Sequence, residues 1–154
     1  MTHPNPAPDS TTDTQVQRLR RRLEAMPIVQ TLGLQVCDFT DGSVVVELPM
    51  QPALCFRPGQ LQATAVFAVA DFAAVAAAAL LQPDAATSTT DITLKLVAPA
   101  VGERLRAVGR VVHAGARSAV CQADVLSIDA QGEARLCASL FATAHHARLD
   151  HAAT

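Results

Sequence analysis

The stretch from Ala63 to Leu81, ATAVFAVADFAAVAAAALL, restricts the fold of this 154-residue chain more than any other segment. Alanine and leucine are strong helix formers, and the run contains neither glycine nor proline, so it predicts one long helix stopped by Pro83. The run is apolar on every side, which predicts burial on every side. The chain has five phenylalanines and no tryptophan or tyrosine. Its core must therefore be built from aliphatic side chains and alanine, which favours close helix–sheet contact. Asp71 stands inside this run as the one ionisable side chain between Arg57 and Asp84. Burying a carboxylate without a partner costs several kcal/mol or forces protonation. Either Asp71 faces solvent or a cation supplied by the fold, or it is a functional carboxylate. Perturbed carboxylates gather at active sites, which favours the second reading.

The rest of the composition narrows the function by exclusion. A length of 154 residues fits one domain, and a net charge of −2 provides no electrostatic footprint for nucleic acid. The apolar run is nearly long enough to cross a bilayer. Asp71 near its middle, the weak lipophilicity of alanine and the strand-like segments after it argue against a membrane span. The N-terminus lacks the apolar core of a secretory signal. Cys37, Cys55, Cys121 and Cys137 show no C-x-x-C spacing, and a reducing cytoplasm is their simplest home. His3, His113, His145, His146 and His151 form no ligand pattern, so no metal site is expected. Phosphate-binding glycine loops, H-E-x-x-H and G-x-S-x-G are all missing, which leaves a serine hydrolase mechanism without its nucleophile signal.

Residues 1–14 (MTHPNPAPDSTTDT) read as a disordered tail, and residues 145–154 as a frayed C-terminal one. Val16, Leu19, Leu23 and Met26 recur at helical spacing, with Arg18, Arg20, Arg21 and Arg22 as a solvated face. Gly33–Thr40 and Ser43–Met50 read as strands joined by a tight Asp41-Gly42 turn. A loop punctuated by Pro52, Pro58 and Gly59 leads into the long helix. Strands are then predicted over Thr87–Val97, Glu103–His113, Ser118–Ile128 and Glu133–Thr143. Helix, two strands, long helix and four strands describe an α+β domain over residues 15–144 with a mainly antiparallel sheet.

This order resembles the hotdog fold, in which an antiparallel sheet wraps one long helix. Many hotdog thioesterases of the phenylacetate-degradation type carry N-x-x-G-x-x-H-G-G followed by a helix with L-A-D. Phe56-Arg57-Pro58-Gly59-Gln60-Leu61-Gln62-Ala63-Thr64 and then Val69-Ala70-Asp71 stand at those positions. The family's Asn, His and two Gly residues are replaced by Phe56, Gln62, Ala63 and Thr64. The resemblance implies an acyl-coenzyme A thioesterase that needs no cofactor. It assigns Asp71 as general base or nucleophile, the Ala63 N–H as oxyanion donor, Gln62 beside it and Thr89 as the holder of the attacking water. Phe56, Gly59, Thr64, Arg57 and Arg117 would contact the substrate, with Arg104 a further phosphate contact. Asp91, two residues along the strand from Thr89, is expected on the same face, as a second carboxylate or as an interface charge. Homodimers or homotetramers are implied as well. The rival reading is a non-catalytic module that binds acyl-coenzyme A or only oligomerises. A hydratase fits least, since no histidine follows Asp71 before His113.

Overall fold

The computed structural model describes residues 10–40 and 42–148. Helix α1 spans Ser10–Glu24 and a short helix α2 spans Pro27–Leu32. Strands β1 (Gln35–Thr40) and β2 (Ser43–Pro49) follow, then a 3-10 turn at Pro52–Leu54 and a small hairpin of β3 (Cys55–Arg57) and β4 (Gln60–Leu61). The long helix α3 covers Ala63–Ala79. Strands β5 (Ala85–Leu96), β6 (Arg104–Ala114), β7 (Ser118–Ile128) and β8 (Ala134–Arg148) complete the chain. Six strands form one antiparallel sheet in the order β1-β2-β6-β7-β8-β5. The sheet curls around α3, which is the hotdog architecture.

Alternation places one face of each central strand against α3. Val44, Val46 and Leu48 of β2, Leu105 and Ala107 of β6, and Ala123 and Val125 of β7 are all buried. Gly109 of β6 marks the tightest contact. A Cβ there would overlap the backbone of α3 at the Ala73 carbonyl. Glycine on the strand and alanine on the helix let the two backbones nearly touch, which brings the aromatic-poor layers close together.

Three expectations change. Residues 10–14 belong to α1, so the helix starts inside the supposed tail; residues 1–9 lie outside the described set. At the other end β8 continues through His145 and His146 to Arg148, paired with Ala85–Ser88 of β5. His146 is buried there, with Nδ1 3.1 Å from the Thr87 hydroxyl. The domain therefore runs to Arg148, and residues 149–154 lie outside the described set. Pro27 opens α2 because a first-turn proline loses no hydrogen bond, and Gly33 at φ 68° ends it. Finally, α3 is not enclosed on every side. Phe67, Ala68, Asp71, Phe72 and Val75 form a stripe turned away from the sheet, and Phe67 is 39% exposed.

Gly109→Ala should cost about 3 kcal/mol, the upper end for overpacking, because neither backbone can retreat. Urea denaturation would read it as a lower midpoint; an unchanged midpoint would mean that α3 can lift from the sheet.

Candidate active site

The outward stripe of α3 faces a cleft of about 570 Å³, closed on its other sides by α1, α2 and the first half of β5. Leu23, Met26, Ile28, Leu32 and Phe72 make it mainly apolar. Arg22 sits at its rim and donates from Nη2 to the Ala85 carbonyl at 3.2 Å. Asp71 and Thr89 lie in its wall, and the Thr89 hydroxyl donates to Asp71 Oδ1 at 2.8 Å. Among the described residues no cation pairs with Asp71. Burial in these apolar surroundings raises its pKa above the ordinary 3.8, and the Thr89 hydrogen bond offsets part of the rise. Cys121 of β7 is buried close enough to feel this charge. Burial and then Asp71 push its thiol up to about 11, so it stays protonated at neutral pH.

Thr89 and Asp91 do not share a face, contrary to the spacing expectation. Thr89 is opposite Ala144 of β8 and Asp91 is opposite Thr143, with Thr90 bulged out between them. Neighbours on β8 point to opposite sides, so the bulge sends Asp91 to the outer face, away from Asp71. Asp91 cannot be a second carboxylate of this cleft.

The other residues singled out in the sequence gather at the start of α3. Gln62 caps that helix, its Oε1 accepting from the Thr64 N–H and the Thr64 hydroxyl, both at 2.5 Å. The Gln62 carbonyl accepts from the amides of Ala65 and Val66. Among the described residues the Ala63 N–H makes no hydrogen bond, and Ala63 is exposed. A first-turn donor without a partner is a ready anion site, reinforced by the helix dipole. Phe56, Gln62 and Ala63 line a second, smaller hollow of about 290 Å³ beside Leu96 and Pro99. Arg57 lies over the Phe56 ring at 5.3 Å and donates to Gln60 across the turn at Gly59.

Two arginines fall away. Arg104 of β6 pairs with Glu47, together with Arg106. Arg117 is in the β6–β7 turn, where its carbonyl accepts from the His146 amide, and it lines neither cleft. The contributions of Arg22, Met26, Ile28 and Thr87 were not read from the sequence. Only the helical spacing that includes Leu23 and Met26 hinted that α1 has a face to bury.

Ala63 and Asp71 are eight residues apart on one helix. That is about 12 Å along the axis and about 80° around it. The free N–H and the carboxylate of one chain therefore cannot meet on a single carbonyl group.

The thioesterase superfamily model matches residues 63–134, from the start of α3 into β8. A thioesterase family protein from Silicibacter pomeroyi is 29% identical; the match covers 86% of this chain and 97% of that one, with a TM-score of 0.80. A conserved protein from Pseudomonas aeruginosa is 27% identical over 82% of this chain and 98% of its own, at 0.72. The E. coli PaaI protein, from the phenylacetic acid degradation operon, shares the fold at 19% identity, with 90% and 96% coverage and a TM-score of 0.75. No curated protein sequence matches the chain. Among the described residues no helix is long and apolar enough to cross a membrane, and no cluster of His, Cys, Asp or Glu could hold a metal ion.

Asp71→Asn provides a pH-resolved test of the carboxylate's surroundings. The folded pKa of Asp71 exceeds its unfolded value, so its ionised form weakens the fold above the folded pKa, and this penalty vanishes below about 3.8. The variant should therefore be at least as stable as wild type at pH 7, with any advantage shrinking toward pH 4. A variant clearly less stable at pH 7 would reveal a buried cation that depends on Asp71.

Proposed function

We propose that the chain is a hotdog-fold member of the thioesterase superfamily and that it hydrolyses acyl-coenzyme A thioesters, with Asp71 as the proton-accepting carboxylate. The observation that carries this reading is the Asp71–Thr89 pair, without a cation partner among the described residues and set in the wall of an apolar cleft. A carboxylate so placed is expensive to keep unless it does chemistry. The cleft suits an acyl group, since ligand sites of about 300–1,000 Å³ are typically apolar with a few fixed polar groups.

In the proposed reaction the thioester carbonyl lies between Asp71 of one chain and the Ala63 N–H of another. Thr89 donates a hydrogen bond to Asp71 and keeps its proton, which leaves its oxygen free to accept a hydrogen bond from, and so orient, a water molecule. Asp71 takes a proton from that water as the new C–O bond forms. The oxyanion accepts from the Ala63 N–H at the positive end of α3. When the C–S bond breaks, the sulfur recovers the proton from Asp71, and a free acid and coenzyme A depart. Attack by Asp71 itself, through an anhydride that water then opens, uses the same geometry. The separation of Ala63 from Asp71 within one chain supports a homodimer, or a homotetramer built from such dimers, as the active form.

A screen of acyl-coenzyme A substrates that follows thiol release tests the activity. On any substrate the wild type turns over, Asp71→Asn should lose at least about a hundredfold in kcat while still binding it. Ala63→Pro removes the proposed donor at a helix position where proline is well tolerated. Gln62 already holds the extended angles, φ −73° and ψ 149°, that a following proline requires. This variant should fold normally and lose about 10²–10³ in kcat. Near-normal turnover by Asp71→Asn would end the catalytic reading. A wild type that binds several of these thioesters and cleaves none would replace it with the binding-module reading.

A further inference from the structure

The Asp71–Thr89 pair leaves most of the cleft without a polar anchor. The other lining residues with polar side chains are Arg22, Thr87 and Ser88. Arg22 is exposed at the rim, and Ser88 alternates to the opposite face of β5. Thr87 is different. It lies opposite His146 and Thr89 lies opposite Ala144, with no bulge between them, so both threonines are on the cleft side of the strand. The Thr87 hydroxyl is 3.1 Å from His146 Nδ1, and His146 is only 5% exposed. Burial, and then His145, lowers the His146 pKa from the ordinary 6.5, so the ring is neutral at pH 7. A neutral imidazole has one donor and one acceptor nitrogen. Nε2 is buried with no hydrogen-bond partner among the described residues. A proton there would be an orphaned donor, a state that folded proteins seldom keep, whereas a bare nitrogen leaves only a lone pair unfilled. The proton therefore resides on Nδ1 and is donated to Thr87. That leaves the threonine's own proton to point into the cleft.

We propose that Thr87 is a specificity-determining residue held in place by His146, and that the preferred acyl group carries a keto oxygen part-way along its chain, which accepts from the Thr87 hydroxyl. The inference rests on the reading that this cleft holds the acyl group of a thioester, and it names which acyl group. The β5 wall of the cleft runs from Ala85 to Thr89, and the reacting carbonyl belongs at the Thr89 end. A tail that leaves along this wall passes Thr87. Two residues of strand span about 7 Å, which an extended carbon chain covers in about five bonds. The keto oxygen of a 6-oxoacyl chain falls at that distance. Such an oxygen only accepts, as the free proton of Thr87 requires. A plain alkyl tail would leave that proton facing methylenes and bind more weakly. His146 does not line the cleft, so it acts through Thr87, as a positioning residue.

Binding tests this on the full chain. Analogues of heptanoyl- and 6-oxoheptanoyl-coenzyme A with a methylene in place of the thioester sulfur keep the carbonyl but cannot be hydrolysed. Affinity is then read on the wild type whatever its turnover. By calorimetry the 6-oxo analogue should bind about five- to tenfold tighter than the heptanoyl one, and moving the oxygen two carbons closer to the carbonyl should lose the advantage. Thr87→Val should erase the preference, and Thr87→Ser should keep it. Thr87→Val alone strands the Nδ1 proton, so it is paired with His146→Phe, which removes both partners at little structural cost and should erase the preference as well. Nitrogen NMR should place the His146 proton on Nδ1. Equal affinities, no binding of either analogue, a preference that survives Thr87→Val, or a proton on Nε2 would overturn the assignment, while turnover of any acyl-coenzyme A would leave hydrolysis standing. A 6-oxo preference lost in Thr87→Val, in a protein that cleaves no thioester, would uphold the assignment and overturn the hydrolysis.

Discussion

The whole arrangement depends on how closely α3 approaches the sheet at Gly109. Because a side-chain atom there would overlap the Ala73 carbonyl, helix and strand are in backbone contact, and the alanines on either side fill what remains. A helix of leucines would stand farther off and need a wider sheet. The alanine composition thus fixes the layer spacing, and that spacing brings β5 near enough for Thr89 to reach Asp71.

The carboxylate is a consequence of the same constraint. One sheet can cover only one face of a helix, so α3 keeps an outer stripe that α1 and α2 only partly enclose. Asp71 lies on that stripe, dry enough for its pKa to rise and open enough for a ligand to approach. Its sole neutral hydrogen-bond donor among the described residues keeps it from being either locked as an ion pair or silenced by full burial.

The sequence revealed the helix and the sheet for a simple reason: alanine content and strict alternation are strong local signals. It concealed whatever depends on a neighbouring strand. Thr87 to Thr93 (TSTTDIT) is polar at nearly every position, so nothing in it marks the bulge that turns Asp91 away from Thr89. The last strand ends in two histidines and an arginine, polar enough to resemble a tail, yet His146 is buried beside Thr87. Helix α2 is only six residues long, too short for a clear periodic signal, so the apolar wall it supplies with Ile28 and Leu32 went unseen. Asp71 was legible because it contradicts its surroundings. That Ala63 and Asp71 of one chain lie too far apart for one reaction emerges only when both are placed on a single helix.

Subunit complementation tests this last point most directly. Asp71→Asn and Ala63→Pro each disable a different half of the site. Unfolded together in equal amounts, refolded and assayed for thiol release, they should regain about a quarter of wild-type activity. Half of randomly formed dimers would then be mixed, each with one intact site. A mixture no more active than either variant alone, although the chains demonstrably exchange, would contradict a site shared between two subunits.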